Sequence, residues 1–323
     1  MTEAQPGIFA EGLLNHHHVE FRVRANTPAE QVVAGIAEAR REATWLGGPN
    51  VTWGFAPALW ATVGGALPEN VSAFHGVQGV DGRGAPATQF DIWAWCSGAS
   101  VEAVASTATM ITQALAGIAD LALSLPAYKT LDSRDPTGFI DGTANPLPDE
   151  AMKVALYPEG SAGSGGSAVL VQKWVHDLRA FEALAVAAQE DVIGRTKVDS
   201  VELTDDPPTS HVNRNTVVDE EGDERHIYRR NTPFNIGSEV GTMFIGCTNS
   251  PDLINEMLDR MFGISGDGLT DHLTRFSVPV TGSYYFVPAM ADLTSVFGTL
   301  EPAEVLSPLR RSDLGIGSLL GRS

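Results

Sequence analysis

The stretch of sequence that decides the fold reads Thr242-Met-Phe-Ile-Gly-Cys-Thr-Asn-Ser-Pro-Asp-Leu-Ile-Asn-Glu-Met-Leu-Asp-Arg-Met-Phe262. It combines a short apolar strand, a polar turn and a helix with one apolar face. Residues 90–125 repeat this order. Phe90-Asp-Ile-Trp-Ala-Trp-Cys96 predicts a strand, Ser100 a helix N-cap, and a helix is predicted from 101 to about 125. Two copies of one unit indicate an internal duplication.

The remaining apolar segments extend this pattern through both halves of the chain. Alternation from Val19 onward predicts a strand, and histidines 16–18 are interpreted as its polar lead-in. Thr27 followed by proline predicts the start of a helix that ends near residue 44. The other predicted elements are strands at 51–55, 168–175 and 241–246 and helices at 178–193 and 251–262. The predicted fold class is therefore α+β, with two similar modules.

The length and charge of this chain limit the classes of protein to which it can belong. Its 323 residues suit two domains or one duplicated domain at roughly 150 residues each. There are 21 basic and 40 acidic side chains, which give a formal net charge of −19. Nucleic acids and anionic membranes attract clustered cations, so this balance argues against both as partners.

The cysteines and the first residues bear on cellular location. Cys96 and Cys247 each stand in an apolar stretch, which favours buried free thiols over a disulfide. No window approaches about 18 consecutive apolar residues, the length of a membrane span, and no basic region precedes an apolar run at the start. We expect a cytoplasmic protein.

The candidate chemistry lies in the long irregular stretch from about 198 to 232 and in a glycine-bounded acid upstream. His211 stands in Thr-Ser-His-Val-Asn-Arg-Asn, and Arg229-Arg-Asn231 follows. Gly138-Phe-Ile-Asp141-Gly142 places a carboxylate between glycines, which is typical of a side chain held at a turn. Long loops in compact domains often carry function.

Taken in order, these motifs resemble the bacterial B type of dye-decolorizing peroxidase. The resemblance includes the Asp141, His211 and Arg229 segments and Phe276-Ser-Val-Pro-Val-Thr-Gly282, and it reaches to about residue 300. It implies duplicated ferredoxin-like modules that form a dimeric α+β barrel, with antiparallel sheets and peripheral helices. The implied divisions are an N-terminal module at 1–130, a haem-binding module at 131–300 and a flexible tail at 301–323. One haem b per subunit is implied.

The resemblance also implies roles for individual residues. His211 matches the haem-iron ligand, and Asp271 aligns with the carboxylate that accepts the other imidazole proton and strengthens the ligand. Asp141, Arg229 and Asn231 match the residues that face peroxide. A fixed guanidinium stabilises charge on the departing oxygen, a carboxylate can move the proton, and an amide orients peroxide. We expect Arg229 to be indispensable and Asp141 contributory.

Two further expectations concern other aromatic and histidine side chains. His176, at the end of a predicted strand, is interpreted as structural or as a neighbour of the haem propionates. Bulky dyes do not fit a closed pocket, so electrons would have to pass through a surface tryptophan or tyrosine. The candidates are Trp93, Trp95, Trp174, Tyr284 and Tyr285, but each lies in an apolar strand and individually is more typical of an aromatic core, so the sequence does not identify the relay.

The last residues have a different composition from the rest of the chain. Three glycines in 314–321 disfavour an isolated helix, yet this stretch carries large aliphatic side chains that would suit a groove on a partner. Those residues are Leu314, Ile316, Leu319 and Leu320. The segment resembles the peptide that directs cargo enzymes into encapsulin nanocompartments, which implies an encapsulin shell as partner. The family resemblance implies a hexamer.

The principal hypothesis is a haem peroxidase that uses hydrogen peroxide to oxidise dyes, phenols or similar donors. The alternatives are a haem carrier without peroxide turnover and a scaffold that acts through its tail. Arg229, Asp141 and Asn231 favour the peroxidase, because a carrier has no need of polar groups aimed at peroxide.

Overall fold

In the computed structural model, which describes residues 3–45 and 47–300, antiparallel pairing joins both halves of the chain in one sheet. The strands are β1 (Asn15–Val23), β2 (Asn50–Phe55), β3 (Val77–Gln78), β4 (Gly84–Ala85), β5 (Ile92–Gly98), β6 (Ala119–Tyr128), β7 (Ser167–His176), β8 (Val217–Val218), β9 (Glu224–Arg225), β10 (Tyr228–Arg229), β11 (Thr232–Ile236), β12 (Glu239–Thr248), β13 (Ser277–Pro279) and β14 (Ser283–Val287). The helices are α1 (Ala29–Ala43), α2 (Pro57–Thr62), α3 (Val101–Leu115), α4 (Pro148–Ala155), α5 (Leu178–Glu182), α6 (Val186–Ile193), α7 (His211–Asn215), α8 (Pro251–Met261) and α9 (Met290–Phe297).

The main sheet has the strand order β10-β12-β7-β14-β2-β5-β1-β6. The two halves meet where Phe286 of β14 pairs with Phe55 of β2. At the other end, β11 pairs with β12 and lies beside β6, and His18 Nε2 lies 2.9 Å from Thr232 Oγ1. The sheet therefore curves until its ends approach each other, and the predicted α+β class is confirmed. No helix among the described residues has the length and apolar character to cross a bilayer.

Several element boundaries differ from the sequence prediction. The helix that Ser100 caps, through a 3.2 Å bond from the Ala103 N–H, ends at 115 rather than near 125. Residues 119–128 form β6 instead, because that segment pairs along β1 from Ala119 opposite Val23. Thr27 does not cap α1, since its hydroxyl donates to the Arg24 carbonyl. The predicted helix at 178–193 is divided into α5 and α6.

The interpretation of histidines 16–18 as a polar lead-in is wrong. They lie inside β1, and His16 and His18 are buried. His16 Nδ1 accepts a bond from Trp95 Nε1 at 3.1 Å, and His18 Nδ1 accepts one from Trp93 Nε1 at 3.3 Å. Burial lowers the pKa of His16 to about 4 and that of His18 well below its ordinary value. These rings are neutral acceptors for the indoles, a role that alternation of apolar residues does not reveal.

The interior between the two halves contains a stacked aromatic group with one carboxyl group. Trp93 stacks on Trp95 with ring centroids 6.0 Å apart and on Tyr285 at 5.9 Å. The Tyr285 hydroxyl donates to Glu20 Oε1 at 2.6 Å, and both residues are fully buried. Burial raises the pKa of Glu20 to about 7, although the bond from Tyr285 partly opposes this. A buried carboxyl group thus titrates near neutrality inside the apolar core.

The Glu20→Gln variant should separate the titration of this carboxyl group from the other contributions to stability. The pKa of Glu20 is about 7 in the folded protein and has the ordinary value of 4.5 in the unfolded chain. Between these two pH values the folded protein therefore keeps a proton on Glu20 that the unfolded chain has lost. Stability from this group is therefore present below that window and is lost as pH rises through it, by about 3 kcal/mol in total. Urea unfolding of both proteins from pH 4 to 8 should show that the free energy of unfolding of Glu20→Gln increases relative to that of the wild type as pH rises. A difference independent of pH would contradict the buried titration.

Candidate functional site

A cavity of about 510 Å³ opens in the second half of the chain, between the sheet and helices α7 and α8. Side chains on one face of β7 and β12 line it, among them Gln172, Trp174, Thr242 and Phe244. The alternate residues of β12, Met243 and Ile245, point to the aromatic interior instead. Because side chains alternate along a strand, the sheet forms a wall between the cavity and that interior.

His211 is the first residue of α7, and the local sequence explains its position. Ser210 caps the helix by accepting a bond from the Asn213 N–H at 3.0 Å. Gly194 makes room for this turn: it has a φ of 96°, and an added Cβ would lie 2.9 Å from Ser210 Oγ and 2.8 Å from Val212 Cβ. The Gly194 position thus allows α6 to pack closely against the segment that presents His211 to the cavity.

The imidazole of His211 is oriented by a buried carboxylate. Its Nδ1 lies 2.6 Å from Oδ2 of Asp271, which has no exposed surface. The other Asp271 oxygen accepts a bond from the Leu273 N–H at 2.8 Å, so the carboxylate is fixed to the backbone. A neutral imidazole that donates from Nδ1 keeps its lone pair on Nε2, which is the form that binds a metal.

Asp141 and Asn231 face the same cavity and contact each other. Asn231 Nδ2 donates to Asp141 Oδ1 at 3.0 Å, and Lys129 Nζ pairs with Asp141 Oδ2 at 2.9 Å. Both members of the ion pair are largely shielded, with 23% and 18% of their side chains exposed. The sequence analysis missed Lys129, which directly follows β6 in the N-terminal half and has no distinctive motif around it. Both carboxylate oxygens of Asp141 therefore have partners.

Arg229 lies at the end of β10, and Asn145 holds its backbone on both sides. The Asn145 side chain accepts a bond from the Arg229 N–H at 3.0 Å and donates to its carbonyl at 2.8 Å. Within the part of the chain that the structure describes, the guanidinium makes one long bond, from Nη2 to the Ala144 carbonyl at 3.4 Å. Burial lowers the pKa of Arg229, and the charges of Asp141 and Glu224 oppose that shift. The guanidinium thus faces the cavity with donors to spare.

His176 and Arg195 also line the cavity, with different consequences. His176 has both ring nitrogens engaged, Nδ1 with Ser277 Oγ at 2.8 Å and Nε2 with Thr242 Oγ1 at 3.0 Å, and burial lowers its pKa to about 4. These two hydrogen bonds fix the His176 ring in place, as expected for a structural residue. Arg195 is a second cation at the cavity that the sequence analysis did not single out, and it pairs with Glu202 at 2.9 Å.

The residues around the cavity fit a haem. The walls combine apolar side chains with a few polar groups, which is typical of cofactor pockets of this size. The buried Gln172 amide lines the cavity, and its Nε2 has no hydrogen-bond partner among the described residues. The described residues include no group of three or more His, Cys, Asp or Glu side chains placed to hold a metal ion. A single oriented imidazole is the donor set expected where a porphyrin supplies the other ligands.

The relay candidates are not surface residues. Trp93 and Trp95 are 1% exposed, Tyr285 is fully buried, and Trp174 and Tyr284 are at most 8% exposed. These five side chains are therefore core residues, as their apolar strands indicate, and none of them is a surface relay. Their indoles and phenols pack in the apolar interior, as in the aromatic cores of other proteins. The tail residues Leu314, Ile316, Leu319 and Leu320 lie outside the described residues.

Comparisons with known proteins agree on one family. The family model described as Dyp-type peroxidase, C-terminal, matches residues 132–292. A dye-decolorizing peroxidase of Mycolicibacterium paratuberculosis is 38% identical over 73% of this chain and 69% of its own length. One from Rhodococcus erythropolis is 36% identical over 79% of this chain and 77% of its own length.

Solved structures agree with these sequence matches. A dye-decolorizing protein from V. cholerae has a TM-score of 0.80 at 33% identity, over 90% of this chain and 99% of its own. A variant of Rhodococcus jostii DypB in complex with haem has a TM-score of 0.79 at 32% identity, over 87% and 95% of the two chains.

Proposed function

Because this chain belongs to the dye-decolorizing peroxidase family and is a haem-dependent peroxidase, we propose that His211 holds the haem iron and that Arg229, Asp141 and Asn231 act on peroxide. The observation that carries this proposal is their convergence on one cavity, where the helix supplies the imidazole and the sheet and a glycine-bounded loop supply the polar groups. Family membership also favours an enzyme over the haem-carrier and scaffold alternatives.

His211 and Asp271 act together as the proximal group. Asp271 accepts a hydrogen bond from Nδ1 at 2.6 Å, so Nε2 would be the atom that binds the haem iron, with greater electron donation than a free imidazole has. Bound haem supplies the redox chemistry, in which peroxide is reduced to water and donors lose one electron at a time. The role of these two residues is to hold the iron and to keep it electron-rich.

Arg229 contributes more than Asp141 to the reaction with peroxide. Each oxygen of Asp141 already accepts one bond, from Asn231 and from Lys129, so fewer of its lone pairs remain for a proton from peroxide. The guanidinium of Arg229 keeps donors free, and a fixed cation of this kind would stabilise negative charge on the departing oxygen. Asn231 keeps the carboxylate oriented towards the same space.

His211→Ala should lower haem affinity by at least about tenfold, because the cavity loses its metal-binding nitrogen. Asp271→Asn should retain haem but with affinity lowered by about ten- to a hundredfold, as expected when the partner of a ligating histidine is lost. Haem transfer to apomyoglobin measures both. His75→Ala, at an exposed histidine, serves as the control. Unchanged retention in His211→Ala would remove His211 from the haem site.

Arg229→Leu should slow the peroxide-induced change of the Soret band by about a hundred- to a thousandfold, the usual loss when one donor to developing charge is removed. Asp141→Asn should slow it less, because that carboxylate is shared with Lys129 and Asn231. Stopped-flow mixing with one equivalent of peroxide measures the rate, and haem content must match the wild type. Arg179→Leu, at an exposed arginine, is the control. Wild-type rates in Arg229→Leu would rule out this mechanism.

We further propose that the C-terminal segment loads this enzyme into an encapsulin nanocompartment. Support comes from the composition of 314–320, which places four large aliphatic side chains among glycines, and from the resemblance to cargo peptides of encapsulins. Many copies of a shell subunit would strengthen a weak peptide contact if the enzyme is itself multimeric, and we propose the hexamer that the family resemblance implies.

Deletion of residues 312–323 should abolish encapsulation when the enzyme is expressed together with an encapsulin shell protein. Peroxidase activity and haem content of the truncated enzyme should stay unchanged, because every residue assigned a role in the cavity precedes residue 312 in the sequence. Co-purification with assembled shells on a size-exclusion column measures loading. Loading of the truncated enzyme at the wild-type level would refute the assignment.

A further inference from the structure

The aromatic interior behind the cavity holds a tyrosine and a carboxyl group that the peroxide reaction does not use. Tyr285 donates to Glu20 Oε1 at 2.6 Å, and neither side chain has exposed surface. Glu20 Oε2 has no hydrogen-bond partner among the described residues. Burying a carboxyl group with an unpartnered oxygen is unfavourable, and an apolar pair would pack as well. Packing alone therefore does not explain why a carboxyl group is bonded to a tyrosine hydroxyl at this buried position.

The stacked indoles connect this pair to the wall of the cavity. Tyr285 stacks on Trp93, and Trp93 stacks on Trp95, with centroids 5.9 and 6.0 Å apart. The guanidinium of Arg230 lies 5.3 Å from the centre of the Trp95 ring. Arg230 follows Arg229 and precedes Asn231, whose side chains line the cavity, while its own guanidinium lies over Trp95 instead. The aromatic group is therefore separated from the cavity by a single layer of the sheet.

We propose that Tyr285 and Glu20 form an internal redox site, in which Tyr285 gives one electron through Trp93 and Trp95 to the peroxide-oxidised haem and gives its proton to Glu20. The proposal rests on the haem peroxidase function. It differs from a surface relay, because the oxidised group is enclosed and reaches no bulky donor directly. Such a site holds an oxidising equivalent inside the protein until a donor returns the electron.

The transfer balances in atoms and charge. The O–H bond of Tyr285 breaks and an O–H bond forms on Glu20 Oε1, so the carboxylate becomes a neutral acid. Tyr285 is oxidised by one electron to a neutral tyrosyl radical, and the haem is reduced by one electron. A later electron from a donor reverses both changes. Without the carboxylate, oxidation would leave a charged phenol in a medium of low dielectric, which is strongly unfavourable.

The geometry suits the proton step. An O–H···O distance of 2.6 Å is typical of a hydroxyl that donates to an ionised carboxylate. Burial raises the pKa of Glu20 to about 7, which makes the carboxylate a stronger base than an exposed glutamate while leaving a fraction ionised at neutral pH. His18, which stacks on both indoles, accepts the Trp93 N–H and keeps that ring in place.

The test is freeze-quench electron paramagnetic resonance of the haem-loaded enzyme after one equivalent of hydrogen peroxide. The wild type should give a tyrosyl radical whose spectrum narrows when the protein carries ring-deuterated tyrosine. Tyr285→Phe should lose this signal. Glu20→Gln, which keeps a hydrogen-bond acceptor but takes no proton, should lower the yield at least tenfold. Tyr284→Phe, which alters the neighbouring tyrosine bonded to Asn255, should keep the signal.

The change of the Soret band with peroxide, recorded on the same samples, distinguishes failure of the proposed function from failure of the internal redox site. A wild-type enzyme without a Soret change would overturn the proposed function itself. A Soret change without a tyrosyl radical, or a radical that persists unchanged in Tyr285→Phe or Glu20→Gln, would overturn the internal redox site alone. Trp93→Phe should slow formation of the radical, and an unchanged rate would remove the indoles from the route. Matching haem content across the variants shows that each has folded.

Discussion

The short bond between His211 and Asp271 is the interaction on which the rest of the site depends. Asp271 is anchored three times, because its backbone N–H bonds the Met261 carbonyl at the end of α8, one side-chain oxygen accepts from Leu273, and the other meets the imidazole. The ring is thus oriented by a carboxylate 60 positions later in the chain. Without this partner the His211 ring would keep only the 3.2 Å contact between its Nδ1 and Asn215 Nδ2, and its orientation in the cavity would be held less firmly.

The sheet divides the protein into two chemical compartments. On one face of β12, Thr242 and Phe244 meet the cavity, while on the other Met243 and Ile245 meet the aromatic interior. Polar groups of the cavity are consequently kept from the indoles by a sheet layer in which β12 pairs with β7 from Gly241 to Thr248. The arrangement allows water and peroxide on one side and an enclosed aromatic group on the other, although the two are only one layer apart.

Sequence reasoning predicted the parts that local chemistry determines. The strand of 241–246 and the helix of 251–262 appear as β12 and α8 because their apolar spacing is strong, and Ser100 caps α3 as its type suggests. It failed where partners distant in sequence decide. Residues 119–128 carry a leucine-rich run that reads as helix in isolation, but pairing along β1 makes it a strand. The buried histidines of β1 likewise depend on indoles contributed by β5.

The candidate site shows the same difference between residues that local motifs reveal and residues whose role depends on distant partners. His211, Asp141, Arg229 and Asn231 were found through motifs, and the structure brings all four to one cavity. Lys129 was not found, because its importance lies only in its distance to Asp141.

The position of Lys129 argues that the two halves form one functional unit. Lys129 comes from the N-terminal half, directly after β6, yet it pairs with a carboxylate of the cavity in the other half. Arg230, between two cavity residues, donates in turn to the carbonyls of Ile8 and Ala10 near the start of the chain. Isolation of the second half would leave Asp141 without its cation and Arg230 without its acceptors, with buried charges unpaired. The N-terminal half therefore supplies contacts that hold residues in and beside the cavity of the other half.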